Sequence, residues 1–167
     1  MSEEISDVCR TIEESTQKVA DIRTANAEQE EVESRKDNII LYRVPESDST
    51  IAEDRNKDDN SFCKHFLFGL NIGIVEEDIR KTVRLGKKNS DNALPRPILV
   101  QLGSRRMKNL VMESLYKIKS MEIKYRSIIV AHDMTKKQRE ECKVLVNEAK
   151  EKSENENGYT RSGVHRD

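Results

Sequence analysis

Between residues 38 and 131 the apolar residues are gathered into six short windows, and the order of those windows restricts the possible folds. Short β-branched or alternating runs predict strands, whereas apolar residues spaced three or four apart predict helices. The predicted strands cover 38–45, 79–85, 97–102 and 123–130. The predicted helices carry their apolar faces over 62–70 and 107–118.

This order, strand–helix–strand followed by strand–helix–strand, predicts an α+β fold. The split βαβ arrangement is shared by ferredoxin-like folds and RNA-recognition motifs, written βαββαβ. In such folds two helices cover one face of an antiparallel sheet and leave the other face open. We therefore expect a ferredoxin-like RNA-recognition-motif domain over residues 37–131. Ser104 is expected to cap its second helix, and Asp58, Asp59 or Asn60 its first.

The N-terminal segment predicts one long helix, because residues 2–34 contain no proline and no glycine. Its apolar residues follow the a and d positions of about three heptads, with Ser15 at the missing d position. Residues 1–36 are thus predicted to form an oligomerising coiled-coil helix, and a solvated, charge-rich helix is the alternative. The positions predicted to oligomerise are Ile5, Val8, Ile12, Val19, Ile22 and the polar a-position residue Asn26.

The C-terminal segment, residues 132–167, predicts a partial second domain. Thr135 and Gln138 have the spacing of a capping box, in which each side chain bonds the backbone of the other. A stripe of apolar residues follows from Cys142 to Ala149. We expect one helix here, followed from residue 152 by a polar, loosely ordered tail.

Charge is distributed unevenly along the chain, although the net charge is only -1. Residues 79–139 hold 16 Lys or Arg against 4 Asp or Glu, whereas the segments on either side are acidic. Such asymmetry favours a polyanion as the partner of the middle segment, most often a nucleic acid. A basic but merely solvated surface is the alternative.

An RNA-recognition motif normally displays aromatic residues on its first and third strands, where bases stack. Here Ile40 and Leu99 stand at those places, and Tyr42 is the sole candidate for stacking, with packing at a sheet edge as its alternative role. Affinity is therefore expected to come from cations around an open, basic sheet face. The predicted nucleic-acid-binding residues are Tyr42, Arg80, Arg84, Lys87, Lys88, Arg96, Arg105, Arg106, Lys124, Arg126, Lys136, Lys137 and Arg139.

Signals for other classes of protein are weak. No apolar run approaches the roughly 20 residues of a membrane span. Three scattered cysteines favour a reducing compartment over a disulfide framework. Neither Cys63, which falls on an apolar helix face, nor the adjacent pair His132–Asp133 has partners at metal-binding or catalytic spacing. We expect no enzyme activity, no cofactor, no metal and no small-molecule substrate.

Several motifs occur together in a characteristic order. The run SRKDNIILYRVPE at 34–46 follows the coiled coil, and VRLGKK at 83–88, RPILV at 96–100 and DMT with QR at 133–139 come after it. Together they resemble the first-open-reading-frame protein of long interspersed, non-LTR retrotransposons. The resemblance implies trimers formed through the coiled coil, coating of the element's RNA, and nucleic-acid chaperone activity in cytoplasmic ribonucleoprotein particles or the nucleus.

By this resemblance, Arg84, Arg96 and Arg139 stand at basic motif positions, and single-stranded DNA is a second expected ligand. The chain departs from the family at Gln101, where relatives often carry a basic residue, and in its shorter coiled coil. A protein–protein interaction module is the alternative function. An acylphosphatase-like enzyme ranks last, because the loop after the first strand is acidic.

Overall fold

The structure is a computed structural model that describes residues 2–88 and 94–161. The chain divides into two compact units, Met1–Asp133 and Met134–Asp167. It is a mixed α+β protein with a long N-terminal helix, a four-stranded antiparallel sheet and a C-terminal helix, which confirms the predicted class. The helices and strands, in chain order, are α1 Ser2–Arg35, β1 Asn38–Tyr42, α2 Ala52–Gly69, β2 Ile79–Arg84, β3 Ile98–Leu102, α3 Arg105–Glu113, β4 Ile129–His132 and α4 Lys136–Arg161.

The four strands lie in the order β2-β3-β1-β4, and every neighbouring pair is antiparallel. Because side chains alternate across a strand, each strand contributes to both faces of the sheet. On one face, which we call the buried face, the central residues are fully buried: Ile39 and Leu41 of β1 with Ile98, Val100 and Leu102 of β3. The opposite face, which we call the open face, has Ile40 beside Leu99 and Tyr42 beside Ile129.

The buried face packs against α2. Phe66, Leu67 and Cys63 are fully buried, on the helix face that the sequence predicted to be apolar. Burial raises the pKa of the Cys63 thiol to about 12, so this cysteine is a small core residue and stays protonated. Tyr125 completes the core, with its ring centroid 5.3 Å from that of Phe62.

The predicted start of the first domain helix is wrong. We expected a cap at residues 58–60, but α2 begins at Ala52, and Ile51 precedes it without a side-chain cap. Glu53 and Asp54 lie in the first turn, where the helix dipole favours carboxylates. Asp59 could not serve as a cap because its carboxylate is buried against an arginine of β2.

The predicted fourth strand, 123–130, is also displaced. Residues Ile123–Tyr125 form a short 3₁₀ helix, and β4 occupies Ile129–His132 instead. The apolar run looked like a strand, but burial of the Tyr125 ring among the phenylalanines of α2 fixes this segment as a turn. Tertiary packing has overridden the local strand propensity.

An irregularity in β2 breaks its predicted alternation. The register with β3 shifts between Ile79 and Lys81, as a β-bulge does. As a result Ile79 packs against the core, whereas Lys81 and Val83 share the open face with Gln101 and Leu99. Regular alternation over 79–85 would place Ile79, Lys81 and Val83 on one face.

The helix α1 is joined to the sheet by a buried carboxylate. Asp133, directly after β4, accepts a hydrogen bond from Arg35 Nη1 at 2.9 Å and another from Asn38 Nδ2 at 2.9 Å. Arg35 is the last residue of α1 and Asn38 is the first residue of β1. One carboxylate therefore fixes the end of the long helix, the start of the central strand and the end of the sheet.

The predicted coiled-coil residues lie on an exposed helix. Ile5, Val8, Ile12, Val19 and Ile22 are all exposed in the single chain, with between 47% and 65% of their surface accessible. An uncovered a/d seam of this kind is what a coiled-coil strand presents before it associates. Association through these residues and Asn26 stays a prediction.

In the C-terminal unit the predicted capping box is confirmed. The Thr135 backbone donates to Gln138 Oε1 at 3.0 Å, and the Gln138 backbone donates to Thr135 Oγ1 at 3.2 Å. Helix α4 continues to Arg161, beyond the predicted start of a loose tail at 152. Residues 162–167 of that tail lie outside the described residues. Within the described part of the chain, no helix is both long and apolar enough to cross a membrane.

We expect Asp133→Ala to lower the free energy of unfolding by about 1–3 kcal/mol, because it removes the acceptor of two partly or fully buried donors. Urea unfolding followed by circular dichroism measures the change. Asp7→Ala is the matched control, since Asp7 forms an exposed ion pair with Arg10 in α1, and it should change stability by no more than about 0.5 kcal/mol. Equal effects of the two substitutions would contradict this role of Asp133.

Candidate nucleic-acid interface

The open face of the sheet is apolar at its centre, which differs from the basic face expected from the sequence. Ile40 and Leu99, at the two places where aromatic residues were sought, lie directly opposite each other across β1 and β3. Lys81, on the edge strand β2, is the cation that the strand register places on this face. Ile40 is buried, with 8% of its surface exposed, so the half-buried Leu99 supplies the accessible apolar surface at this centre. Most of the charge must come from the surroundings of the face.

Tyr42 lies on this open face at the end of β1, opposite Ile129 of β4. About 40% of its surface is exposed, so one side of the ring is accessible to a partner. Its exposure suits stacking on a base, and the role predicted for it stays a prediction. The strand ends here because the next residue, Arg43, adopts a left-handed φ of 64°.

Arg84 is buried between the sheet and α2, with only 6% of its side chain exposed. Its guanidinium binds the Asp59 carboxylate through Nε at 3.1 Å and Nη2 at 2.6 Å. The other three hydrogen bonds go to the backbone carbonyls of Val44 at 2.8 Å, Pro45 at 2.8 Å and Arg96 at 2.7 Å.

A guanidinium has five N–H donors, and in Arg84 all five are used within the protein. No donor is left for a phosphate in this conformation. The structure therefore gives Arg84 a structural role in place of the predicted phosphate contact.

Arg96, which lies just before β3, forms a second ion pair, with Glu46. Its Nη2 donates to Glu46 Oε2 at 2.8 Å and its backbone N–H to Glu46 Oε1 at 2.9 Å. Its Nη1 donates to the carbonyl of Gly86 at 2.9 Å, and the side chain is 15% exposed. These bonds from Arg96 lower the pKa of the Glu46 carboxyl to about 2. Arg96 is thus also mainly structural, although an edge of its guanidinium remains accessible.

Sequence analysis missed the two carboxylates that hold these arginines. Glu46 belongs to the acidic loop after β1, which was interpreted only as hostile to a phosphate, and Asp59 was predicted only as a candidate helix cap. The sequence did contain one signal for these ion pairs. Acidic residues follow the first strand, and basic residues lie on the second strand and just before the third strand. Pairing them required the fold, since about 25 to 50 residues separate the partners along the chain.

The remaining predicted cations of the first unit are exposed. Arg105 and Arg106 lie in the first turn of α3, whose cap Ser104 accepts from the Met107 backbone at 3.3 Å, as predicted. Lys124 lies 4.8 Å from the centroid of the Tyr125 ring. The full exposed set is Arg80, Lys87, Lys88, Arg105, Arg106, Lys124 and Arg126.

The remaining three predicted cations, Lys136, Lys137 and Arg139, are exposed in the first turns of α4 in the second unit. They lie next to the capping box rather than near the helix C-terminus, so the helix dipole does not favour their charge. Lys136 lies 3.9 Å from the Glu140 carboxylate in an exposed ion pair.

The adjacent residues His132 and Asp133 do not form a catalytic pair. Asp133 is bonded to Arg35 and Asn38, and burial lowers the pKa of His132. Among the described residues, no three His, Cys, Asp or Glu side chains come together as a metal site would require.

Comparison with models of known protein families gives no match, and no curated protein shows significant similarity to this chain.

Replacing Arg84 by alanine should cost about 3–5 kcal/mol of stability, because it leaves the Asp59 carboxylate buried without its partner. Arg84→Lys should lose part of this stability, since an ammonium cannot reproduce the five fixed hydrogen bonds of the guanidinium. The control is Arg80→Ala on the same strand, whose exposed side chain should matter by no more than about 0.5 kcal/mol. Chemical denaturation of the three variants gives the comparison, and an unchanged midpoint for Arg84→Ala would refute the structural role.

Glu46 should make folding stability depend on acid pH. Because its folded pKa of about 2 lies below the ordinary 4.5, its ionised form stabilises the fold above pH 4.5, and this contribution disappears as pH falls towards 2. The stability difference between the native chain and Glu46→Gln should therefore shrink over that range. Thermal melts of both proteins at a series of pH values test this, and a difference independent of pH would count against the Arg96 pairing.

Proposed function

We propose that this protein binds single-stranded RNA, chiefly through its phosphates and with little sequence preference. The observation that carries the proposal is the exposure of the basic residues in segment 79–139. Apart from the paired Arg84 and Arg96, every cation predicted to bind nucleic acid has an exposed side chain. A polyanion neutralised by such a set releases its counterions, which supplies affinity without reading the sequence.

The strand and helix order supports the finer assignment to a ferredoxin-like RNA-recognition motif. The main elements from β1 to β4 alternate as β-α-β-β-α-β, and the strand order β2-β3-β1-β4 places β1 and β3 at the centre. In such motifs the two central strands carry the base-contacting residues. Here those places hold Ile40 and Leu99, with Tyr42 nearby, so we expect weak base discrimination.

The start of α3 is the best-defined anion-binding element of the proposed interface. The first backbone N–H groups of a helix and its dipole favour an anion. Two exposed cations, Arg105 and Arg106, occupy that first turn, where they oppose the dipole and receive no compensation from acidic neighbours in the turn. A phosphate bound there would be stabilised by both the helix and the two side chains.

We further propose that α1 associates through its a/d seam, as a trimer if the resemblance to the retrotransposon protein holds. Each additional copy adds another cationic segment to the assembly, and binding several segments to one strand increases the overall affinity without new contacts. Such an assembly would coat RNA and act as a chaperone, in the ribonucleoprotein particles that the resemblance implies.

One observation favours the alternative, a protein–protein interaction module. The open sheet face is apolar at its centre, where Leu99 is half-buried, and on the edge strand β4, where Ile129 is exposed. A protein partner that covers this face would compete with RNA for Tyr42. Loss of RNA binding at all salt concentrations, with a protein partner bound, would favour that function.

Fluorescence anisotropy with a short labelled oligouridine tests the RNA proposal on the full chain. Affinity should fall by at least about tenfold between about 50 and 200 mM salt. The double charge reversal Arg105→Glu with Arg106→Glu should weaken binding by about tenfold or more at low salt.

The matched control carries the same charge change on the exposed α4 residues Lys143 and Lys150, each replaced by Glu. It should bind nearly as the native chain does. Absence of binding at low salt, or equal losses in the two double variants, would contradict the proposal.

A further inference from the structure

An open groove of about 520 Å³ runs between α2 and the edge strand β2. From the helix it is lined by Asn56, Lys57, Asn60 and Lys64, which follow one helical face. From the sheet it is lined by five consecutive residues, 79–83. Side chains of a strand alternate between faces, so five consecutive lining residues mean that the edge of β2 itself borders the groove.

The backbone of this edge is free to accept another strand. β2 is the outermost strand on its side of the sheet. Leu85 donates its N–H to the carbonyl of Pro97 at 2.8 Å, and in an antiparallel pair such bonded positions alternate with unbonded ones. The register then places Thr82 at an unbonded position, where its N–H and C=O point away from β3 and towards the groove.

The groove is positively charged. Four of its lining residues are basic, and its one carboxylate, Glu76, is paired with Lys64. Within the described part of the chain, the other three, Lys57, Arg80 and Lys81, have no ion-pair partner. A segment entering the groove would meet their uncompensated charge.

The combination of a free strand edge and positive charge selects the occupant. A second copy of β2 would bring a second set of the same cations to this edge, and like charges across a strand pair are destabilising. A nucleic acid could satisfy the charge but has no repeating N–H and C=O groups to pair with the edge. An extended acidic peptide can satisfy both requirements.

We propose that the α2/β2 groove binds an acidic segment of another protein in extended conformation, as a fifth strand beside β2. Its backbone pairs with the free groups of Thr82, and its carboxylates face Lys57, Arg80 and Lys81. The groove shares Arg80 with the exposed cations of the RNA interface proposed above, whereas Lys57 and the free strand edge belong to the groove alone. The bulge at Arg80 limits the pairing to a few residues.

The test uses the full chain and a fluorescein-labelled synthetic peptide of alternating Glu and Thr. The native chain should bind it, and should not bind the corresponding peptide of alternating Lys and Thr. Methylating the alternate backbone nitrogens on the peptide edge that pairs with β2 should abolish binding. Methylating the nitrogens on the opposite edge should leave binding unchanged. Equal binding of both methylated forms would show a charge effect only and overturn strand addition.

Three variants, one of them a control, and an RNA competitor complete the experiment. Lys57→Glu with Arg80→Glu should weaken peptide binding by at least about tenfold, whereas the control Lys119→Glu with Lys124→Glu, on exposed residues elsewhere in the same unit, should not. Thr82→Pro removes a donor that β3 does not use, so the sheet should persist while peptide binding is lost.

If oligouridine displaced the peptide, and the Lys57/Arg80 variant weakened both ligands equally, the groove would be a nucleic-acid site and the proposal would be overturned. Failure of oligouridine binding alone would instead contradict only the RNA function.

Discussion

The ion pair between Arg84 and Asp59 joins four parts of the first unit. Arg84 belongs to the edge strand β2, and Asp59 to α2 on the buried face of the sheet. The same guanidinium binds the backbone that follows β1 and the backbone that precedes β3. A domain with few aromatic residues has a modest core, so this polar contact fixes the positions of the helix and three strands where apolar packing alone would be less specific. Removing either partner would leave a buried charge uncompensated.

This pair also changes how the charge of the chain should be understood. The basic segment 79–139 contains two kinds of arginine, although they are alike in the sequence. Arg84 and Arg96 are paired with carboxylates from the acidic stretch after β1, so part of the charge asymmetry between the segments is internal and serves the fold. The exposed cations are left over after this pairing. Arg105 and Arg106 at the start of α3 are the clearest examples, and they define the surface available to a polyanion.

Features set by neighbouring residues could be predicted from the sequence. The cap at Ser104 and the box of Thr135 with Gln138 were predicted because each depends on residues three positions apart. Ile40 and Leu99 were placed at the two aromatic positions of the motif, and the structure shows them opposite each other on one face. Features that depend on distant contacts were missed. The displacement of β4 follows from the packing of Tyr125 on Phe62, and the structural role of Arg84 follows from a carboxylate on another element.

The central claim is that the arginines divide into a buried structural group and an exposed group that binds phosphate. Nuclear magnetic resonance of the ¹⁵N-labelled arginine side chains in the full chain, titrated with single-stranded oligouridine, tests it directly. The Nε–H of Arg84 should exchange slowly with water and keep its chemical shift throughout, while the signals of Arg105 and Arg106 should move as RNA is added. A fast-exchanging Arg84 signal that shifts with RNA, or unmoved signals from Arg105 and Arg106, would contradict the account.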